Sequence, residues 1–475
     1  MDETLKASPP LIEAADVIAG EKSSHLSAGI VFLVWLVPVF STILFGGVDT
    51  ITWVMISVFW LAIILLWLGE TWKGNGLLIN PSSLQLPILG LLLIGLIQLM
   101  PLSGGDSGTL GAAASRSLTM DAYATRFFLI HLAVYSVFFA ACLTFVNTEA
   151  RLKKTSVLII VFGAAMAFFG IMQRLANPDG IYGLRGTPQA VPFGPFVNQH
   201  HFASFMVMTS GLALALLINK RSGRNTKVLL AAAVVIMGIA IVFTSSRGGV
   251  LAFISVLAFV TMLNFFSGRW SDEKSLKESG NEPQPKIVLV AAAGSLVLVI
   301  LGSVLLLGGN ESLFRGIGVT QIQDGVSNGR AHFWSIALKI FLEHPILGAG
   351  LEAFGVAFTK HDTWNGLFRV EQAHNEYLQT LADAGIAGFV CVFAFVYLLF
   401  KKGLRTIASA RGFRRDAAIG ALAGCFGILI HSFFDFPLRT PSNAFFFLML
   451  CAIATVPVQS AHSGHSRRRH RSTAP

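Results

Sequence analysis

Long apolar runs, repeated from one end of the chain to the other, decide what this sequence can fold into. A hydrocarbon layer about 30 Å thick is crossed by roughly 20 apolar residues in a helix. Inside that layer every backbone N–H and C=O must find a partner within the protein, so such runs read as helices. Twelve candidate spans follow: 27–47, 51–69, 83–101, 124–147, 155–173, 199–218, 227–244, 248–267, 287–308, 384–400, 416–435 and 442–458. With 54% hydrophobic and only 13% charged residues among 475, the fold class is an all-α polytopic membrane protein. Because mostly polar residues 1–26 precede the first run and no small-residue cleavage pattern follows it, that run is expected to be retained.

Lys and Arg set the orientation. With the N-terminus inside, 24 of the 35 basic residues fall on cytoplasmic segments, including "RLKK" at 151–154, "KRSGRNTK" at 220–227 and the tail at 459–475. The positive-inside rule then puts both termini in the cytoplasm. The net charge of +10 belongs to these loops and to contact with anionic lipid headgroups, so it calls for no nucleic acid. All four cysteines (Cys142, Cys391, Cys425, Cys451) lie in the expected spans, which reads as packing rather than a disulfide framework or a metal site.

The largest outward segment is 309–383. In "SNGRAHFWSIALKIFLEHP", Phe333, Ile336, Ala337, Ile340 and Phe341 fall on one helical face, with Ser327 or Asn328 as the expected cap and Pro345 as the stop. This predicts an amphipathic helix on the membrane surface or against the bundle. "PILGAGLEAFG" then supplies glycines for a turn, and "EQAHNEYLQTLADAGIAGF" leads the chain back into the membrane. On that helix His374, Leu378 and Leu381 are expected to share a face.

Apart from His131, the deep part of each span is nearly free of ionisable residues, whereas the outward ends hold Arg126, Arg247, His431 and Asp435. Ionisable groups at membrane depth are expensive and face a cavity or a partner, which points to a site at the outer boundary. Simple interfacial placement is the plainer alternative for any one of them. Four stretches stand out together: "FTSSRGGVLAF" around Arg247, "VSNGRAHFW" around Arg330, "EQAHNEYLQ" around His374, and "IHSFFDFPLRTPSN" with His431, Asp435, Arg439 and Asn443. For Asp435 and Arg439 the preferred reading is a mutual ion pair holding the last outward turn. Arginine's planar fork binds anionic oxygens in a bidentate way, and histidine is suited to proton transfer.

These four stretches, with "GPFVNQHHFASFM" at the outer start of the sixth span, resemble the O-antigen ligase and polymerase family of bacterial envelope glycosyltransferases over residues 185–455. The sequence departs from the family's pattern at His200, where a second asparagine is expected. The resemblance implies a GT-C type enzyme without metal or other cofactor, in the bacterial inner membrane with its site facing the periplasm. The implied donor is a glycan on an undecaprenyl diphosphate carrier. The acceptor is a second carrier-linked glycan in a polymerase or lipid A core in a ligase. By analogy with the family, His374 is the catalytic base and Arg247 and Arg330 hold the diphosphate, with Arg185 a weaker candidate whose alternative is loop stabilisation. Asn375, Glu376, Tyr377, Asn198, His431 and Asp435 are the further residues expected to orient His374 or the substrate. The long outer loop and the segment carrying Tyr182, Arg185 and Phe193, read as sugar-stacking and hydrogen-bonding groups, tilt the expectation toward a polymerase. A transporter of lipid-linked sugars is the rival from another class; it would carry polar residues through the midplane and often broken helices. A structural membrane scaffold leaves the His/Arg clustering unexplained.

The Lys/Arg asymmetry carries a direct test. In spheroplasts, an impermeant thiol reagent is expected to label Gly366→Cys and to spare Glu278→Cys. Labelling of position 278 alone would invert the orientation.

Overall fold

The computed structural model describes residues 24–74, 76, 78–101, 117–176, 180–187, 190–218, 222–275, 326–363 and 370–457. The chain order is α1 (His25–Ile43), α2 (Thr50–Lys73), α3 (Gln85–Gln98), α4 (Ala122–Phe145), α5 (Glu149–Ala176), a hairpin of β1 (Gly180–Ile181) and β2 (Arg185–Gly186), α6 (Gln199–Ile218), α7 (Arg224–Phe243) and α8 (Arg247–Ser275). There follow α9 (Val326–Glu343), α10 (Phe354–Thr359), α11 (Glu376–Ser409), α12 (Gly412–His431) and α13 (Pro441–Thr455). Eleven of the twelve expected spans coincide with a helix; the ninth, 287–308, lies outside the described residues, as do 1–23, 276–286 and 458–475. Among the described residues eight helices are long and apolar enough to cross a membrane, and α3 and α13 are shorter apolar helices. The chain is an all-α, multi-pass membrane protein.

The bundle is built around α6, which is buried continuously from His201 to Leu216 and packs on α12, α7 and α8. Small residues allow the α6–α12 crossing: a Cβ added at Gly211 would stand 2.7 Å from both the Gly420 oxygen and the Gly424 nitrogen. Between membrane helices, where lipid is as apolar as leucine, such close backbone approach supplies the packing energy. The periphery is the reverse. On α2, Ile51, Val54, Val58, Leu61, Leu65 and Leu68 are exposed along one stripe, the face that lipid covers. At the end of the bundle where α12 begins, buried Arg414 donates to the Ile453 (2.8 Å) and Val456 (2.5 Å) carbonyls and closes the end of α13.

At the other end, α9 and α10 form a small layer over the start of α11. Ile336, Ala337 and Ile340 of α9 are buried with Phe354, Ala357 and Phe358 of α10 and with Ala373 and Ala382. The amphipathic helix is therefore where the pattern puts it, ending at Glu343 before Pro345, although it begins at Val326, ahead of Ser327 and Asn328.

α11 is broken at Gly385, whose φ of 60° and ψ of −161° only glycine adopts without strain. The break frees backbone groups on both sides, and the segment 345–351 takes them up. Ala349 N donates to Ala382 O (2.8 Å) and Gly350 N to Asp383 O (3.0 Å), while Ile386 N donates to Pro345 O (2.9 Å) and Ala387 N to Ile346 O (3.2 Å). Buried Gln98 at the end of α3 locks the crossing: its Nε2 donates to Leu347 O (2.5 Å) and Asp383 O (2.9 Å), and its Oε1 accepts from Leu351 N (2.9 Å). A Cβ at Gly385 would lie 2.4 Å from the Ile346 oxygen.

Gly385→Ala is therefore expected to lose about 1–3 kcal/mol from backbone strain alone, with the steric overlap added. Thermal unfolding in detergent would show this as a lowered midpoint; an unchanged midpoint would mean that the crossing is not rigid.

Candidate active site

The site is assembled at the turn between α12 and α13, expected from the sequence to face outward. The helix α12 stops at His431, residues 432–436 turn, a single 3-10 turn covers Pro437–Arg439, and α13 restarts with Pro441 in its first turn. His374 reaches this turn from the other side. It does not stand on the Leu378 face of α11, as the helical spacing suggests, because the helix begins only after it. Asn375 is the N-cap, its Oδ1 accepting from Tyr377 N (3.0 Å) and Leu378 N (3.1 Å), and His374 precedes the cap with a positive φ of 52°. That turn directs the imidazole at Asp435, with Nδ1 3.1 Å from Oδ1. The ring lies between Phe333 of α9 (centroids 6.0 Å apart, planes 25° apart) and the edge of Phe436 (4.9 Å).

The two partners differ in access: 32% of the His374 side chain is exposed but only 2% of that of Asp435. Burial alone would push the Asp435 carboxyl up, but the hydrogen bond from His374 and the charges of His201 and His200 outweigh it and hold the group below the usual carboxylate range. An ionised carboxylate only accepts, and it already accepts from Phe436 N at 2.9 Å. The proton of the His374–Asp435 contact therefore sits on Nδ1, which leaves Nε2 as a base.

Around this pair lie residues from three other elements. His431 is buried, with Nδ1 2.6 Å from Ser204 Oγ and Nε2 3.4 Å from Ser246 Oγ. Ser246 Oγ in turn accepts from Gly249 N (3.2 Å), so His431 fixes the start of α8, whose first residue is the exposed Arg247. Arg330, half-buried on α9 one turn before Phe333, is close enough to act electrostatically on His200 and His431. Neither Arg247 nor Arg330 has an ion-pair partner among the described residues. His200, noted from sequence only as a departure, faces the charges of Asp435, Arg330 and His374. Neighbouring His201 is buried, with Nδ1 2.7 Å from Thr440 Oγ1, and Asn443 Nδ2 donates to both His201 O (3.0 Å) and Pro437 O (3.2 Å).

The other sequence-selected residues have different surroundings. Asn198 caps α6, its Oδ1 accepting from His200 N at 2.8 Å. Glu376 N donates to Ser432 O (2.9 Å), Glu376 Oε1 accepts from Leu438 N (3.0 Å), and Tyr377 Oη donates to Leu429 O (2.8 Å). Both residues fasten α11 to the outward turn. Arg185 is held by Asp49 at 2.5 Å and lies over the Phe45 ring, and no contact joins it to the His374 group. The Asp435–Arg439 ion pair expected from sequence is not formed. Arg439 instead pairs with Glu352, with Asp383 (2.8 Å) and with Glu376 (3.6 Å), because the 3-10 turn carries its side chain to the opposite side of the loop from Asp435. Of the two residues read as sugar-stacking groups, Phe193 is buried against Phe202, whereas Tyr182 is exposed with its Oη donating to Ile43 O (2.7 Å). The signal missed in the sequence is Phe333, three residues after Arg330 and so on the same helical face, whose ring stacks on His374.

A buried acid aligning a partly exposed imidazole, at the same end of the bundle as two arginines with no ion-pair partner among the described residues, matches the chemistry of group transfer from an anionic leaving group. Residues 232–393, roughly a third of the chain, match the family model described as O-antigen ligase. Over this segment the chain is similar to the O-antigen ligase family. That family is glycosyltransferase-like, its chemistry is glycan transfer in lipopolysaccharide synthesis, and its substrates are a lipid-linked glycan and an acceptor. The matched segment includes Arg247, Arg330 and His374 and ends before His431 and Asp435. No curated protein matches the chain.

Asp435→Asn keeps an oxygen for His374 Nδ1–H and Phe436 N–H but removes the negative charge that would stabilise an imidazolium. Turnover is expected to fall by about 10²-fold or more. An unchanged rate would reduce Asp435 to a packing role.

Proposed function

We propose that the protein transfers a glycan from a polyisoprenyl diphosphate carrier to an acceptor hydroxyl at the periplasmic face of the inner membrane, without a metal ion. The observation that carries this reading is the 3.1 Å His374–Asp435 contact at the end of the bundle where Arg247 and Arg330 form no ion pair among the described residues. In the proposed step His374 Nε2 takes the acceptor proton as the acceptor oxygen attacks the anomeric carbon. The bond from that carbon to the diphosphate oxygen breaks, and its electron pair leaves with the diphosphate. Arg247 and Arg330 stabilise the departing charge, as pre-placed cations do most effectively where water is scarce. Arg247 adds the N-terminus of α8, whose free N–H groups favour an anion. Asp435 holds the imidazole and stabilises the imidazolium that forms.

The acceptor reading shifts with the fold. Phe193 is buried, which weakens one of the two features that favoured a polymerase, while Tyr182 and Arg185 stay partly exposed. Attachment to lipid A core, the ligase reaction named in the matched family description, now stands first. Full-length glycan accumulating on the carrier in a deletion strain would support it; single repeat units attached to lipid A would indicate a polymerase. Against the transporter reading, the broken helix at Gly385 has its freed backbone groups taken up by the segment 345–351.

Arg247→Lys and Arg330→Lys keep the charge but lose the bidentate fork, so each is expected to slow turnover roughly 10-fold or more at matched expression. His374→Ala should fold and lose about 10² to 10⁴ of the rate. Wild-type rates in these variants would refute the assigned roles. Transfer by purified protein should also survive excess EDTA; full loss restored by a single divalent ion would overturn metal independence.

A further inference from the structure

Five non-glycine residues among those described have a positive φ, and three of them, Ser245, Glu352 and His374, flank the candidate site. Glutamate is a costly choice at a φ of 63°, because glycine, and less often asparagine or aspartate, are the residues that occupy the left-handed region readily. Such a conformation persists only where the surrounding structure enforces it. At Glu352 both neighbours are held. Leu351 N donates to Gln98 Oε1 (2.9 Å) at the end of α3, and Leu351 O accepts from Thr125 Oγ1 (2.9 Å) of α4. On the other side Ala353 N donates to Gly350 O (2.9 Å), one residue before α10 begins.

The side chain held in this way reaches in two directions. Glu352 Oε1 accepts from Gln372 Nε2 (2.8 Å), two residues before His374. Glu352 Oε2 is paired with Arg439 Nη1, four residues after Asp435. One carboxylate, fixed to α3 and α4, therefore touches both segments that carry the His374–Asp435 pair. Glu376 also bridges these segments, through Leu438 N and Ser432 O, but it belongs to the helix arm that His374 precedes. Glu352 is the brace that ties the two segments to the bundle from outside that arm. Ala373 is held separately, its N–H by Gln379 Oε1 (2.6 Å) and its carbonyl by Trp334 Nε1 (3.1 Å), so losing Glu352 tilts His374 rather than releasing it.

We propose that Glu352 is a positioning residue: by bracing Gln372 and Arg439 from a fixed point on the bundle, it sets the approach of His374 to Asp435. Its effect on turnover rests on the transfer reaction proposed above; its effect on the geometry of the pair does not. Without Glu352, Arg439 is still paired with Asp383 (2.8 Å) and Glu376 (3.6 Å), so no buried cation is stranded. A base displaced by a fraction of an ångström slows the chemical step, while substrate contacts made by other residues are kept.

Glu352→Gly removes both contacts and relieves the left-handed backbone, so the full-length variant is expected to fold. In protein labelled with ¹⁵N-histidine, the side-chain signals of His374, identified by their loss in His374→Ala, should shift, whereas those of the distant His25 stay in place. With a carrier-linked glycan and acceptor, kcat should fall about tenfold with KM changed by less than about twofold. Glu352→Gln keeps the shape but presents an amide donor to Gln372 or Arg439, so a smaller shift and a smaller loss of rate are expected. Unmoved His374 signals in Glu352→Gly overturn the proposal. So does a rate loss carried by KM, or a shift of every histidine signal, since these mark a role in binding or in folding. If Glu352→Gly does not fold, Glu352→Gln decides on the same readouts. Wild-type protein that transfers no glycan would refute the transfer reading alone, and the histidine signals would still decide for Glu352.

Discussion

A helix that breaks at a membrane boundary must find new partners for the backbone groups it releases, because lipid offers none. In this protein that requirement is met by one segment. Residues 345–351 cross α11 at Gly385 with four backbone hydrogen bonds, and Gln98 adds three more from α3. The outer piece of α11 is thereby held to the bundle as a rigid arm. Asn375 caps the arm and His374 precedes the cap, so the position of the imidazole follows from the pairing at Gly385, eleven residues away. Glu376 and Tyr377 secure the arm's near end to the Ser432 and Leu429 carbonyls.

The same logic organises the partner side. Asp435 is placed by a turn that α12 and α13 bracket, and both helices pack on the buried α6. His431 ends α12 and bonds to serines of α6 and of the turn before α8, so three elements meet at one imidazole. The two histidines are chemically alike and differently used. Both ring nitrogens of His431 face hydroxyls in a buried setting, which suits it to holding the start of α8 and Arg247 in place. His374 has one nitrogen on a carboxylate and a third of its side chain exposed, which leaves the other nitrogen for a substrate.

Much of the architecture was legible in the chain because hydrocarbon allows few solutions. Apolar runs of spanning length become helices, and the amphipathic stripe of Ile336, Ala337 and Ile340 is buried as its spacing requires. The candidate residues were legible as types, since guanidinium, imidazole and carboxylate at the ends of spans need a reason to be there. Their pairing was not. Proximity along the chain suggested Asp435 with Arg439, yet these are separated by a 3-10 turn that sends them to opposite sides and pairs Asp435 with a residue 61 positions earlier. Helical periodicity placed His374 on a face, but a cap one residue later ends the periodicity at that point. Aromatic residues in "NPDGIYGLRGTPQAVPFGPF" looked available for sugars, whereas Phe193 and Phe196 fill the space above α6. Local pattern reports helices; long-range pairing across turns is decided by packing that no single stretch encodes.

The turn between α12 and α13 therefore has two faces with different partners. On one, Asp435 is a single carboxylate among four histidines, with Arg330 near. On the other, Arg439 is a single cation among three carboxylates. Had the expected Asp435–Arg439 pair formed, His374 would have lost its acceptor and the three carboxylates their cation. Separating the two residues is what lets one turn position His374 on one side and hold the broken helix on the other.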